Sequence, residues 1–329
     1  MREMNEKSGS GRPAGQGFLH SPWARLLAVV LALALLAGGG LLVFQALNNG
    51  GVSPVGPKQF ANACGPELTW RYDSLSERVI LEGRGEMYDY ELFGNGREAP
   101  WHDAGEMIYT AVLPEGLTSI GDYAFCGCCG MREVVIPESV RSIGEGAFRA
   151  CSLRTVTIPK NVTAIGKDAF YAGGVLESFS VHPENACFSA DEAGALYDRE
   201  QTVLIDVPAG KSGDFAIPDS VKTIGDGAFE HCYELTAVTL PEGLTSIGCY
   251  AFSDCIGLTS VTIPDGVTSI GETAFIYCYE LRTATIPASV TEIGENAFQY
   301  CEALTIRGVP GSEAERYANE NGIPFEALP

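Results

Sequence analysis

The cysteines are the residues in this chain whose type and spacing best suit chemistry. Six of the eleven recur at one place in a repeated string: Cys128, Cys151, Cys232, Cys255, Cys278 and Cys301. A column of thiols suggests disulfides or a metal site. Yet each copy supplies a single Cys, and no second cluster with His completes a four-ligand set. A ladder of small buried hydrophobes explains all six positions by the period alone. Cys126, Cys128 and Cys129 form a C-x-C-C cluster; with Cys128 inward, its neighbours point elsewhere. Cys64, Cys126, Cys129, Cys187 and Cys249 lie off the ladder. An exported location permits disulfides among these five, and the sequence leaves their pairing open.

The other reactive types are dispersed. His20, His102, His182 and His231 fall in separate regions, none within a metal or triad motif. Carboxylates such as Asp226, Asp265 and Glu272 occupy turn positions and read as a solvated face, not as an acid/base pair. No phosphate loop, dinucleotide fingerprint or G-x-S-x-G elbow is present. The expectation is a non-enzyme with no catalytic residue, no metal and no cofactor.

Charge narrows the partners. Acids outnumber bases 42 to 21 across 329 residues, a net of -21. Such a chain repels phosphate backbones, so no nucleic-acid partner is expected, and it adsorbs poorly to anionic lipid. The charge is segregated: residues 1–47 carry four bases and two acids, leaving 17 bases and 40 acids, a net of -23, beyond them.

The elements that carry these residues begin with an apolar run. Leu26 to Leu47 holds 22 residues without a charge. A helix of that length reaches about 33 Å, enough to cross a hydrocarbon core. Arg2, Lys7, Arg12 and Arg25 precede it and the next base is Lys58, which predicts a cytoplasmic N-terminus and an exported remainder. The expectation is a single-pass signal-anchor over 26–47, a polar cytoplasmic tail over 1–25 and a flexible linker over 48–59. The rival is a cleaved signal peptide with its apolar region at Leu26–Leu36, giving a secreted protein. The run resumes at Leu41–Phe44, which favours the anchor.

Beyond the linker the chain repeats. Ile-Gly-x-x-Ala-Phe occurs seven times, beginning at Ile120, Ile143, Ile165, Ile224, Ile247, Ile270 and Ile293. Pro218, Pro241, Pro264, Pro287 and Pro310 are spaced by 23. The clearest copy is Leu258 to Cys278. Its Leu258-x-x-Val261-x-Ile263 alternation predicts a short strand with one buried face. Pro264 ends the ladder because it lacks an N–H. Val267 and Ile270 turn back into the core, and Gly271 permits a sharp path or close approach. Ala274 and Phe275 are expected in a short helical or 3-10 segment. One coil cannot bury its apolar side, whereas stacked coils share one continuous core.

The L-x-x-V-x-I-P strand followed by P-x-x-V-x-x-I-G-x-x-A-F resembles the BspA-like subclass of bacterial leucine-rich repeat proteins over about residues 60 to 329. Cys64-Gly65 with Leu68–Trp70, then Gly85–Tyr90 and Pro100-Trp101, is similar to that family's N-terminal cap. Gly311–Glu315, Tyr317-Ala318 and Glu320–Phe325 are similar to its C-terminal cap. The resemblance implies a surface-exposed interaction protein, often discussed as an adhesin, with no catalytic residues to carry over. The fold expected is a repeat solenoid of short parallel strands with a 3-10 or irregular convex side, an α/β-type horseshoe or straight coil, preceded by one transmembrane helix. The cap is expected over 60–113, the repeats over 114–310 and a terminal helix and tail over 311–329. Unaided, Ser312 with Glu315 reads as a capping box and Gly322 as a helix stop.

The rhythm fails once. Gly173 replaces the repeat Cys, and Pro183 to Pro218 spans 35 residues without the motif. Ala195–Tyr197, a turn at Asp198–Gln201 and Thr202–Ile205 predict a two-strand excursion within an irregular unit at about 184–217. The family commonly has a longer unit here. A binding insertion and a neutral loop fit that stretch equally.

The concave sheet is the default binding face of a solenoid. Its outward residues are expected to be Glu133, Thr155, Thr157, Ser178, Ser180, Thr239, Ser260, Thr262, Thr283 and Thr285. They form no Trp, Tyr or Arg hot-spot set, and Thr is also simply favoured in exposed strands. Acidic turns offer a second route, toward basic partners or weakly held calcium. The function expected is non-catalytic binding of an extracellular protein or glycan. The alternative is a structural envelope component or spacer.

Overall fold

The computed structural model describes residues 62–92, 97–171 and 175–328. All belong to one compact unit, Phe60–Pro329. The tail, anchor and linker expected over 1–59 lie outside the described residues. Among the described residues no helix is long and apolar enough to cross a membrane.

Each regular coil carries two short strands and a turn. In the copy from Leu258, the first strand is Ser260–Thr262 and the second is Ser269–Ile270. Pro264 stops the first, and its carbonyl accepts the Val267 N–H at 3.1 Å, so the corner is a tight turn. Successive coils stack in parallel register: Ser260 pairs with Thr283, and Ile270 pairs with Ile247 and Ile293. The second ladder is a correction to the sequence reading, which had one strand per coil. Two-residue strands are too short for a period-2 signal.

The convex column differs too. Ala274 and Phe275 sit in turns, and the 3-10 stretch His102–Met107 lies before the repeats. No helix lines the coils among the described residues, so an α/β-type horseshoe does not describe them. The turns are tied by backbone bonds from coil to coil: the Phe229, Phe252 and Phe275 N–H groups donate to Ala251, Ala274 and Ala297 at 2.7 Å. Close approach fixes the glycine. A Cβ on Gly271 would lie 2.4 Å from the Cys249 nitrogen.

The core is a stack of rings flanked by thiols. Trp101, Phe125, Phe148 and Phe170 stack at 5.3–5.6 Å, and Phe229, Phe252, Phe275 and Phe298 at 4.7–5.0 Å. The Sγ–H groups of Cys151, Cys255, Cys278 and Cys301 point at the Phe carbonyl one coil back, at 3.1–3.2 Å. All eleven cysteines are free in this structure.

Both ends are sealed. Ala63–Gly65, Leu68–Asp73 and Arg78–Glu86 form an antiparallel sheet. The last strand is long enough to start both ladders, pairing Arg78 with Thr110 and Arg84 with Gly116. Trp101 closes the ring stack and donates its Nε1–H to the Ala124 carbonyl at 2.8 Å. At the other end the helix Glu313–Asn321 buries Ala314, Tyr317 and Ala318. Ser312 makes no side-chain cap bond; instead Glu315 accepts the Gly311 N–H at 2.6 Å. Gly322 ends the helix in the left-handed region, φ 67°.

The irregular unit holds four strands, not two: a three-stranded meander and then Ser212–Ala216, which pairs in parallel with Glu234–Thr239. Phe188–Ala190, Leu196–Asp198 and Val203–Asp206 form an antiparallel meander, and the last joins the second ladder through Leu204 and Ile224. Asn185 launches it. This buried amide donates to the Pro159 and Val162 carbonyls and accepts the Cys187 and Phe188 N–H groups. The meander also interrupts the core. Buried apolar residues fall into two clusters, one running to Leu196 and one starting at Ala195, rather than one continuous core. The ring stack breaks between Phe170 and Phe229, each closed edge-on by Phe179 or Phe215.

Candidate functional site

Two places in the solenoid gather polar side chains, and they differ in chemistry. The first is the strand face. The register puts Ser178 beside Thr155, Ser180 beside Thr157, Ser260 beside Thr283 and Thr262 beside Thr285. Glu133, Thr155, Thr157, Ser180, Thr239, Ser260 and Thr262 are exposed, while Ser178, Thr283 and Thr285 are half-buried. The ten residues therefore form two outward columns, divided by the irregular unit. In the first column the Thr157 and Ser180 hydroxyls share a hydrogen bond at 2.9 Å. The column is more apolar at its N-terminal end, where Val135 is 82% exposed.

The second place is the junction of the two core clusters. A cavity of about 200 Å³ lies there, lined by the coil Ile165–Tyr171, by Leu176, Leu196, Ile205, Asp206 and Ala209, and by the coil from Asp226 to His231. Asp168, Asp206, Asp226 and Glu230 line it, against Lys167 as the one cationic lining residue among the described residues. Burial, then the nearby Asp168, pushes the Glu230 carboxyl up to about 7. Burial, with Asp168 and Glu230 beside it, holds Asp206 well above the usual carboxylate range.

The bases are already engaged. Arg149 binds Asp168 at 2.9 Å and lies 4.0 Å from the Tyr171 ring centroid. Lys167 Nζ lies over the Tyr250 ring at 4.8 Å. His231 is packed edge-on to Tyr171 at 4.6 Å, and its Nδ1 is 2.9 Å from the Tyr233 hydroxyl. Burial and the Arg149 charge lower its pKa to about 4, so it is neutral and offers no counter-charge to Glu230, 3.6 Å away.

The off-ladder thiols do not converge. Cys64 and Cys126 are buried, Cys187 and Cys249 partly so, and Cys129 is exposed. Among the described residues no group of three or more His, Cys, Asp or Glu is arranged to hold a metal ion. Cys151, Cys255 and Cys278 are protonated and inert, since burial raises their pKa well above the ordinary thiol value.

A sequence profile described as a BspA type leucine-rich repeat region matches residues 105–191 and 211–317 in six copies, more than half of the chain. The chain belongs to this family. It is similar to a solved leucine-rich repeat protein from Eubacterium ventriosum, 26% identical, covering 75% of this chain and 77% of that one with a TM-score of 0.55. A leucine rich cell surface protein from Faecalibacterium prausnitzii is 30% identical, covering 66% of this chain and 64% of that one, also at 0.55. The pneumococcal vaccine antigen PcpA, 19% identical over 68% of each chain with a TM-score of 0.53, shares the fold alone. No curated protein matches.

The strand-face residues of this BspA-type chain follow from period-2 alternation. The junction does not. Asp206 directly follows the apolar run Val203–Ile205, which read as a strand end. The usable signal is a shortened repeat: Leu204 and Val207 are three apart where Ile224 and Phe229 are five apart.

Proposed function

We propose a non-catalytic cell-surface protein that binds an extracellular protein or glycan through its solenoid. The strand face carries this reading: two outward columns run in register over consecutive coils and expose short polar side chains. Such a face offers many shallow contacts and no reacting group. The buried, protonated thiols of Cys151 and Cys255 and the absence of a metal constellation among the described residues support the non-catalytic part. The likeness to the Faecalibacterium cell surface protein supports display at the surface. The apolar run Leu26–Leu47, with bases on its N-terminal side, supplies a means of holding the chain there.

The test pairs topology with binding. A C-terminal tag on intact cells is expected to be cleaved by added protease; a protected tag overturns surface display. The purified chain is expected to bind saturably to members of an extracellular-matrix and glycan array. Thr262→Glu with Thr285→Glu should weaken that binding at least tenfold. A second reading, a spacer without a ligand, is favoured by the hydrogen bond that the Thr157 and Ser180 hydroxyls make to each other. An array with no saturable binder decides for the spacer.

A further inference from the structure

The junction holds an acid where the repeat holds an alanine. Ala228, Ala251, Ala274 and Ala297 are each fully buried beside the ring stack. The Phe after each of the first three donates its N–H to the next alanine carbonyl at 2.7 Å, and Val207 donates to Ala228 at the same distance. Cys232 Sγ points at the Val207 carbonyl at 3.7 Å, as Cys255 does at that of Phe229. Val207 therefore stands at the Phe position and Asp206 at the Ala position. The neighbouring coil that would cover an alanine is displaced by the meander, and the cavity opens there.

Asp206 is half-buried and lines the cavity, and its carboxylate has no hydrogen bond or ion pair among the described residues. Asp168 and Glu230 face the same space. Neither base neutralises Asp206, because Arg149 is bound to Asp168 and Lys167 sits over Tyr250. Asp226 is used by the Cys249 N–H at 2.8 Å. Two carboxyls facing one cavity cannot both ionise cheaply, and an incoming positive group would let them do so. The rest of the lining suits an alkyl stem: Ile165, Leu176, Leu196 and the ring of Tyr171.

We infer that the junction cavity is a binding site for an organic cation, an ammonium or guanidinium group on an aliphatic stem, held by Asp206 and Glu230. Ammonium and guanidinium groups carry several N–H donors for two carboxylates, and their stems bury on apolar walls. The geometry does not favour a metal ion, as no suitable ligand group is present among the described residues. The site is distinct from the strand face and stands without it. The cation has two sources, a basic side chain of a partner protein or a free polyamine.

The test uses the purified full chain and three probes: n-butylammonium, spermidine, and the capped peptide acetyl-Gly-Lys-Gly-amide. Each is compared with sodium chloride at equal ionic strength. At 10 mM, n-butylammonium should raise the melting temperature by at least 2 °C beyond the salt control. Asp206→Ala restores the repeat residue, so it should fold, and it should abolish the shift. Glu230→Gln should reduce the shift by at least half. Stabilisation by the peptide assigns the source to a partner's side chain. Stabilisation by spermidine and n-butylammonium but not the peptide assigns it to a free amine. No shift in the native chain, or an equal shift in Asp206→Ala, overturns the site. Neither result bears on array binding through the strand face.

Discussion

The repeat motif hides a backbone demand that its letters do not show. The second variable position of Ile-Gly-x-x-Ala-Phe is left-handed in every copy, with φ from 51° to 67°. Glycine fills it only at Gly146 and Gly227; Tyr123, Asp168, Tyr250, Thr273 and Asn296 fill the rest. Thr273 is the least comfortable of these. A β-branched side chain at φ 53° is strained, and its hydroxyl is buried without a partner. Thr273→Gly removes both penalties and adds chain entropy to the unfolded state. Strain and desolvation of about 1–3 kcal/mol each outweigh roughly 1 kcal/mol for glycine. The expected result is a gain of about 1 kcal/mol, read as a higher urea midpoint at unchanged m-value. A lower midpoint would show that packing of the Thr273 methyl outweighs both.

At the scale of elements, the terminal helix does the work of a missing coil. Tyr317 lies edge-on to Phe298 at 5.9 Å, and its hydroxyl accepts the Phe298 N–H at 3.2 Å. It supplies the ring and the acceptor that a further coil would have provided. Tyr317→Ala leaves that end of the ring stack open and should cost about 3–4 kcal/mol, whereas Tyr317→Phe loses only the acceptor, about 1 kcal/mol. Equilibrium denaturation separates the two; equal losses would mean that the ring contributes little. The first ladder and the ring stack were legible because both repeat with period: Val261 and Ile263 alternate, and Phe252, Phe275 and Phe298 recur every 23 residues. The second ladder was not, since Ser269–Ile270 contributes two residues and its pairing is set by the coil above. Ser312 failed as a capping residue because the left-handed Gly311 turns its own N–H toward Glu315, leaving the serine hydroxyl buried and unpaired. The strand-face columns were readable from alternation. The junction cavity was not, because its mark, the two-residue shortening between Leu204 and Val207, shows only once Val207 is aligned with the Phe position through its bond to Ala228.

For the whole molecule, the junction makes stability depend on pH near neutrality. Glu230 is raised to about 7 by burial and then by Asp168, with Arg149, Lys167 and Asp254 as smaller influences. Asp206 and Asp254 are also raised by burial. Between the ordinary carboxyl value and these raised values the folded protein holds protons that the unfolded chain has released. Stability therefore falls as pH rises through that window. His231 acts oppositely. It is neutral when folded down to about 4, while the unfolded imidazole charges near 6.5, so its contribution rises with pH between those values. Asp73 and Glu313, held low by hydrogen bonds to Ser76 and Arg316, finish titrating below about pH 4.5 and do not enter. From pH 6.5 to 7.5 the raised carboxyls outweigh His231: Glu230 alone removes about 0.7 kcal/mol over that unit, and the last of the unfolded imidazole's titration returns roughly 0.35 kcal/mol. The melting temperature should drop by roughly 1–3 °C across it. Glu230→Gln should flatten that drop, and His231→Gln should steepen the fall below pH 6.5. A native chain that melts higher at pH 7.5 than at 6.5 would mean that the junction carboxylates are neutralised in solution by a cation already bound.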